Sequence, residues 1–143
     1  MATDRKATVV WQGDLMSGGG TVQQVTSGAF GGLDVSWPAR SEEPNGKTSP
    51  EELIAAAWAS CFSMALSAGL GRAGTPPETL ETSVTVTFQP GDGIIKSAIS
   101  VRGTVPGLDA DGFTSAAQGA KENCPVSKAM TGIPEVTLDA ALA

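Results

Sequence analysis

Histidine is absent from this chain, as is tyrosine, and aromatic side chains make up only 5% of its 143 residues. The lack of imidazole removes Ser-His and Cys-His nucleophile pairs, imidazole general bases and most catalytic zinc sites. Cysteine is scarce too, with one copy at position 61 and one at position 124. The pair is not spaced as CxxC, which excludes a thioredoxin-like motif, and two thiols without histidine make a poor tetrahedral metal site. There is no block of like charge, and the formal charge of −6 with a pI near 4.5 gives no electrostatic footprint for nucleic acid or an anionic membrane surface. The opening MATDRKATVVWQGD lacks the apolar run of a secretory signal, so a reducing cytoplasm is the expected setting. Neither a metal nor an organic cofactor is expected.

What remains is thiol chemistry. A chain of this length is expected to fold as one domain and to bury about two-thirds of its unfolded surface, so its cysteines are not needed as staples. Any reactive cysteine here has to be activated by arginine, lysine, a carboxylate or a helix terminus.

Residues 7–12, 20–27 and 29–37 are short, partly alternating segments separated by glycine-rich turns, and they predict three antiparallel strands within 7–37. The polar stretch Pro38 to Lys47 reads as a surface loop that carries Arg40. Ser49, Pro50 and Glu52 then supply an N-cap, a proline at the first helical position and a capping-box carboxylate. They predict a helix over 50–69, stopped by Gly69, Gly71 and Gly74. Its apolar residues cover every side, the pattern of a helix buried all round. At about 18 residues the apolar run grazes transmembrane length, but Ser60, Ser63 and Ser67 and the absence of basic flanks favour a central helix of a soluble fold.

Val84, Val86 and Phe88 alternate in the first arm of a hairpin over 81–105, turned by Pro90-Gly91-Asp92-Gly93. Asp109 or Asp111 caps a helix to about Asn123, and Pro125 opens a further short one, so that helices occupy 110–131 with Cys124 at the second N-cap. A last strand is expected over 133–142. Strands grouped apart from helices make the class α+β. A helix apolar on every side needs more cover than one small chain offers, which points to a homodimer with paired central helices.

TSPEELIAAAWASCFSMAL at 48–66, the isolated Arg40, the later CPVS, the opening WQGDLMSGGGTV and the closing EVTLDAAL together resemble the OsmC branch of the OsmC/Ohr family. These are osmotically inducible and organic hydroperoxide resistance proteins, and the resemblance runs the length of the chain. It implies an OsmC-like fold of two antiparallel sheets around a long buried helix, built as an intertwined homodimer with the active site at the subunit interface. It also implies a cysteine-based peroxidase in which Cys61 attacks an organic hydroperoxide and Cys124 resolves the sulfenic acid as a disulfide. Arg40 and Glu51 match the activating arginine and glutamate, and in the Ohr branch a lipoyl dithiol regenerates the thiols. Trp58 stands where many relatives carry histidine, and is read here as packing.

The residues alone order the two thiols differently. A helix N-terminus favours a thiolate at Cys124, whereas apolar surroundings in mid-helix push the Cys61 thiol up. Only the resemblance makes Cys61 the nucleophile, and it then requires Arg40 as the cation. Glu51 and Cys61 are separated by about 15 Å along one helix axis, so the glutamate is expected to act across a dimer interface. A thiol redox sensor and a stress-induced ligand-binding protein remain the alternatives.

Overall fold

The computed structural model describes residues 1–143 and shows an α+β chain that divides into two compact units, Met1–Leu53 and Ile54–Ala143. In the first, β1 (Val9–Gln12), β2 (Gly19–Val22) and β3 (Leu33–Val35) form an antiparallel sheet in chain order. The strands are shorter than the sequence suggests. Gly28 and Gly32 take φ of 73° and 71°, so the chain between β2 and β3 turns and cannot stay extended. Trp11 of β1 lies over Gly20 of β2, where an added Cβ would come within 2.9 Å of the indole. The outer strand carries Val9, Val10 and Trp11 at 41–52% exposure, an apolar edge without cover within the chain.

The expected loop after β3 is in part a helix. Ser36 accepts from the Ala39 amide at 3.3 Å and Pro38 occupies the first turn, so α1 (Trp37–Ser41) forms with Arg40 in its last turn. Next comes α2 (Pro50–Arg72), which begins as expected. The Glu52 amide donates to Ser49 Oγ at 3.1 Å, although the Glu52 carboxylate accepts from the Thr48 hydroxyl at 3.0 Å in place of closing a capping box.

The helix runs past Gly69 and Gly71. Its stop is Gly74 at φ 85°, where the Thr75 amide reaches Leu70 O at 3.0 Å and the Gly74 amide reaches Gly71 O at 3.1 Å, a Schellman closure. Nor is α2 buried on every side. Trp58, Phe62, Leu66 and Leu70, at i+4 intervals, are at most 1% exposed, while Met64 is 71% exposed. By length and composition the helix could span a bilayer, but its buried stripe is part of a protein core.

That core lies in the second unit. β4 (Thr79–Gln89) pairs antiparallel with β5 (Gly93–Thr104), and β5 pairs parallel with β6 (Glu135–Leu142). The second sheet is therefore mixed, which corrects the expectation of two antiparallel sheets. A parallel return needs a crossover, and α3 (Ala110–Asn123) with α4 (Pro125–Ala129) provides it. Asp109 caps α3 by accepting from the Gly112 amide at 2.8 Å. Ile99 and Val101 of β5 face the buried stripe of α2 together with Phe113, Ala117 and Ala120 of α3. Gly103 admits the Phe113 ring, since a Cβ there would stand 2.6 Å from it.

Candidate active site

Cys124 sits where the crossover bends. Its amide closes α3 on Ala120 O at 2.9 Å, its carbonyl accepts from the Lys128 amide at 3.0 Å, and it is the N-cap of α4. Pro125 forces that break, having no amide with which to continue α3. The side chain is wholly buried in the core formed by α2 and α3. Cys61 comes from α2, one position before the buried Phe62, and is half-buried. Both thiols are free, and they lie within hydrogen-bonding reach of each other.

Their acidities diverge. Burial raises the Cys61 thiol above its ordinary value, and its hydrogen bond to Cys124 adds to the rise against an opposing contact from the Val126 amide. Burial pushes Cys124 up as well. There the hydrogen bond from Cys61, the amide and hydroxyl of Ser127 and the amide of Val126 outweigh it, and the thiol falls below its ordinary value. The pair thus favours one shared negative charge held on Cys124, with Cys61 as donor. This is the order that the sequence gives when its residues are read on physical grounds.

The other two expected residues also meet. Arg40 donates from Nε to both Glu51 oxygens, at 3.0 and 3.2 Å, and from Nη2 to Oε1 at 2.7 Å. Glu51, in the first turn of α2, is 7% exposed, so the pair is a forked and largely desolvated ion pair. Beside it a small cavity of about 120 Å3 is bounded by Trp11, Leu15, Val35, Trp37 and Pro50, with Arg40 on its wall. The structure thus brings the four expected residues together two by two, Cys61 with Cys124 and Arg40 with Glu51.

Two residues escaped the sequence reading. Trp58 is more than packing, because its indole Nε1–H donates to Ser127 Oγ at 2.8 Å across 69 positions of sequence. The available signal was general: a buried indole finds an acceptor. Ser127 follows Cys124 by three positions, and nothing in CPVS marked its hydroxyl.

The profile of a family described as OsmC-like protein matches residues 43–139. The chain belongs to the OsmC family. It is 41% identical over 142 residues to a protein named Peroxiredoxin OsmC from Escherichia coli, covering 97% of this chain and 96% of that one. Among solved structures, an organic hydroperoxide resistance protein OsmC from Legionella pneumophila is 25% identical, with a TM-score of 0.69 over 95% of this chain and 96% of its own. The organic hydroperoxide resistance protein OhrB of Bacillus subtilis is also 25% identical, at 0.66 over 96% and 98%. The OsmC match takes in Glu51, Cys61 and Cys124, and Arg40 lies just ahead of it.

Proposed function

We propose that this OsmC-family chain is a thiol-dependent peroxidase that reduces organic hydroperoxides to alcohols. The observation that carries the reading is the contact of two free thiols of unequal access, Cys61 half-buried and Cys124 wholly buried. A peroxide arriving from solvent meets Cys61 first. The Cys61 sulfur attacks the outer peroxide oxygen, the O–O bond breaks, the alkoxide leaves with a proton as alcohol, and Cys61 becomes a sulfenic acid. Cys124 is the more acidic thiol of the pair, and its sulfur attacks that of Cys61. Hydroxide leaves, takes up a proton as water, and a disulfide remains. A dithiol returns both thiols.

The acidity of Cys124 favours a second reading, in which Cys124 attacks first. Access weighs against it, because a peroxide reaches the half-buried Cys61 sulfur more readily than the wholly buried one. The Arg40–Glu51 pair supplies the cation that attack by Cys61 requires, and the apolar cavity beside Arg40 suits the alkyl group of an organic hydroperoxide. The glutamate is about 15 Å along α2 from Cys61, so in this reading the pair serves the partner's cysteine in a homodimer with antiparallel central helices. The exposed Met64 of α2 and the uncovered apolar edge of β1 support a second copy as their cover.

A steady-state assay tests the whole. Cumene and tert-butyl hydroperoxide are expected to turn over many times faster than hydrogen peroxide, with lipoyl dithiols outperforming monothiols. Consumption that stops at one peroxide per thiol pair despite added dithiol would make the chain a sensor.

A further inference from the structure

The Trp58–Ser127 hydrogen bond has no part in the proposed cycle as written, yet it spans 69 positions and ends three residues from Cys124. An indole is a donor only, so Ser127 Oγ must accept from Trp58 and its own proton is left to point elsewhere. The Cys124 sulfur takes that hydroxyl and the Ser127 amide as well. Trp58 is fully buried and fixed in the core, which holds the serine oxygen in place.

We infer that Trp58 and Ser127 are positioning residues for the reductive half of the cycle, holding a hydroxyl on Cys124 so that it is the sulfur released when the disulfide opens. The inference rests on the Cys61–Cys124 disulfide proposed above. The step is an exchange. A reductant thiolate attacks the Cys61 sulfur, the bond to Cys124 breaks, and the electron pair goes to Cys124, where the Ser127 O–H meets it. A mixed disulfide is left on Cys61 for the second thiol of a dithiol to open. Thiol–disulfide exchange favours the better-stabilised leaving sulfur. Access points the same way, since Cys61 is the less buried of the two. The only titratable neighbour acting on Cys124 is Cys61 of α2, so Ser127 is the adjustable contribution.

The test begins from protein oxidised with diamide, which makes the disulfide without any peroxidase activity. A monothiol, 2-mercaptoethanol, is added, the mixture is quenched in acid, and the adduct is mapped by peptide mass spectrometry. The adduct is expected on Cys61. In Ser127→Ala the opening rate is expected to fall roughly tenfold, the scale of one hydrogen bond to a charged group. Ser127→Thr keeps the hydroxyl and is expected to restore most of it, and Trp58→Phe, which frees the serine, to lose an intermediate share. Cys124 titration in a Cys61→Ser background separates this from a packing defect, because Ser127→Ala is expected to move it upward with the melting temperature little changed. An adduct on Cys124 in the wild type, or an unaltered opening rate in Ser127→Ala, overturns the inference. Failure of diamide to join the two cysteines overturns the disulfide reading beneath it.

Discussion

Arg40 grips Glu51 with two nitrogens, and the shorter contact, Nη2 to Oε1, is 2.7 Å. Such a fork fixes a guanidinium in one plane, which a lysine ammonium cannot reproduce. Arg40→Lys is therefore expected to keep only part of the peroxidase rate. Arg40→Ala is expected to abolish most of it and also to cost about 1–3 kcal/mol of stability, because Glu51 is left desolvated without a partner. The double variant Arg40→Ala with Glu51→Ala should recover the stability and none of the rate. Urea midpoints and peroxide kinetics on the same three proteins decide this, and recovery of the rate in the double variant would remove both residues from the chemistry.

The division of labour between the thiols is open to direct trapping. After one equivalent of cumene hydroperoxide, Cys124→Ser is expected to carry a sulfenic acid on Cys61 and then to stop, while Cys61→Ser is expected to consume nothing. Mass spectrometry with a sulfenic-acid probe reads both. Rapid sulfenylation of Cys124 in Cys61→Ser would make the buried, more acidic thiol the nucleophile.

Opposite shifts give opposite pH signatures. Cys124 is depressed in the folded chain, so its stabilising effect is present above the unfolded thiol value of about 8.5 and is lost as pH falls through the lower folded value. Cys61 is raised, so its effect is present below about 8.5 and is lost as pH rises through its folded value. Up to the ordinary thiol range the stability advantage of wild type over Cys124→Ser is expected to grow with pH, and above that range the advantage over Cys61→Ser is expected to shrink. Two parallel differences would mean that the thiols do not share a charge.

Subunit exchange tests the proposed shared site. A mixture of Cys61→Ser and Glu51→Ala chains is expected to regain up to about a quarter of wild-type activity, since random pairing gives half of the dimers one complete site each. No recovery despite demonstrated exchange would assign Glu51 to its own chain or to no chemical role.

Gly103→Ala addresses the core alone. Its methyl would stand 2.6 Å from the buried Phe113 ring, and that overpacking is expected to cost about 1–3 kcal/mol. A calorimetric midpoint equal to wild type would show that the ring moves aside freely.

Local chemistry was legible in the sequence wherever it depends on neighbours in the chain. Ser49 with Pro50, Asp109, and Cys124 with Pro125 mark helix ends that the structure keeps, because a cap is satisfied within three residues. The directions of the two thiol shifts match placement in mid-helix and at a helix start, but the largest lowering of Cys124 comes from the Cys61 hydrogen bond, which no local pattern announces. Strand direction did not, since the alternation of Val136, Leu138 and Ala140 reads alike in either sense, and β6 proves parallel. The five-residue α1 is too short to display a period. The Trp58–Ser127 bond joins positions 69 apart, and no local pattern encodes it.

The crossover that returns β6 alongside β5 also sets the order in which the site can be assembled. Cys124 is carried on that crossover, and parallel pairing closes only when the entire excursion through α3 and α4 has been made. Contacts of such sequence separation form late. At a synthesis rate of roughly 5–20 residues per second, Cys61 thus emerges from the ribosome about 3–13 s before its proposed resolving partner. In that interval a sulfenic acid on Cys61 has no thiol to meet and is open to irreversible oxidation. With Cys61 in the proposed role of nucleophile, newly made chains rather than mature ones would be the vulnerable population during a burst of peroxide.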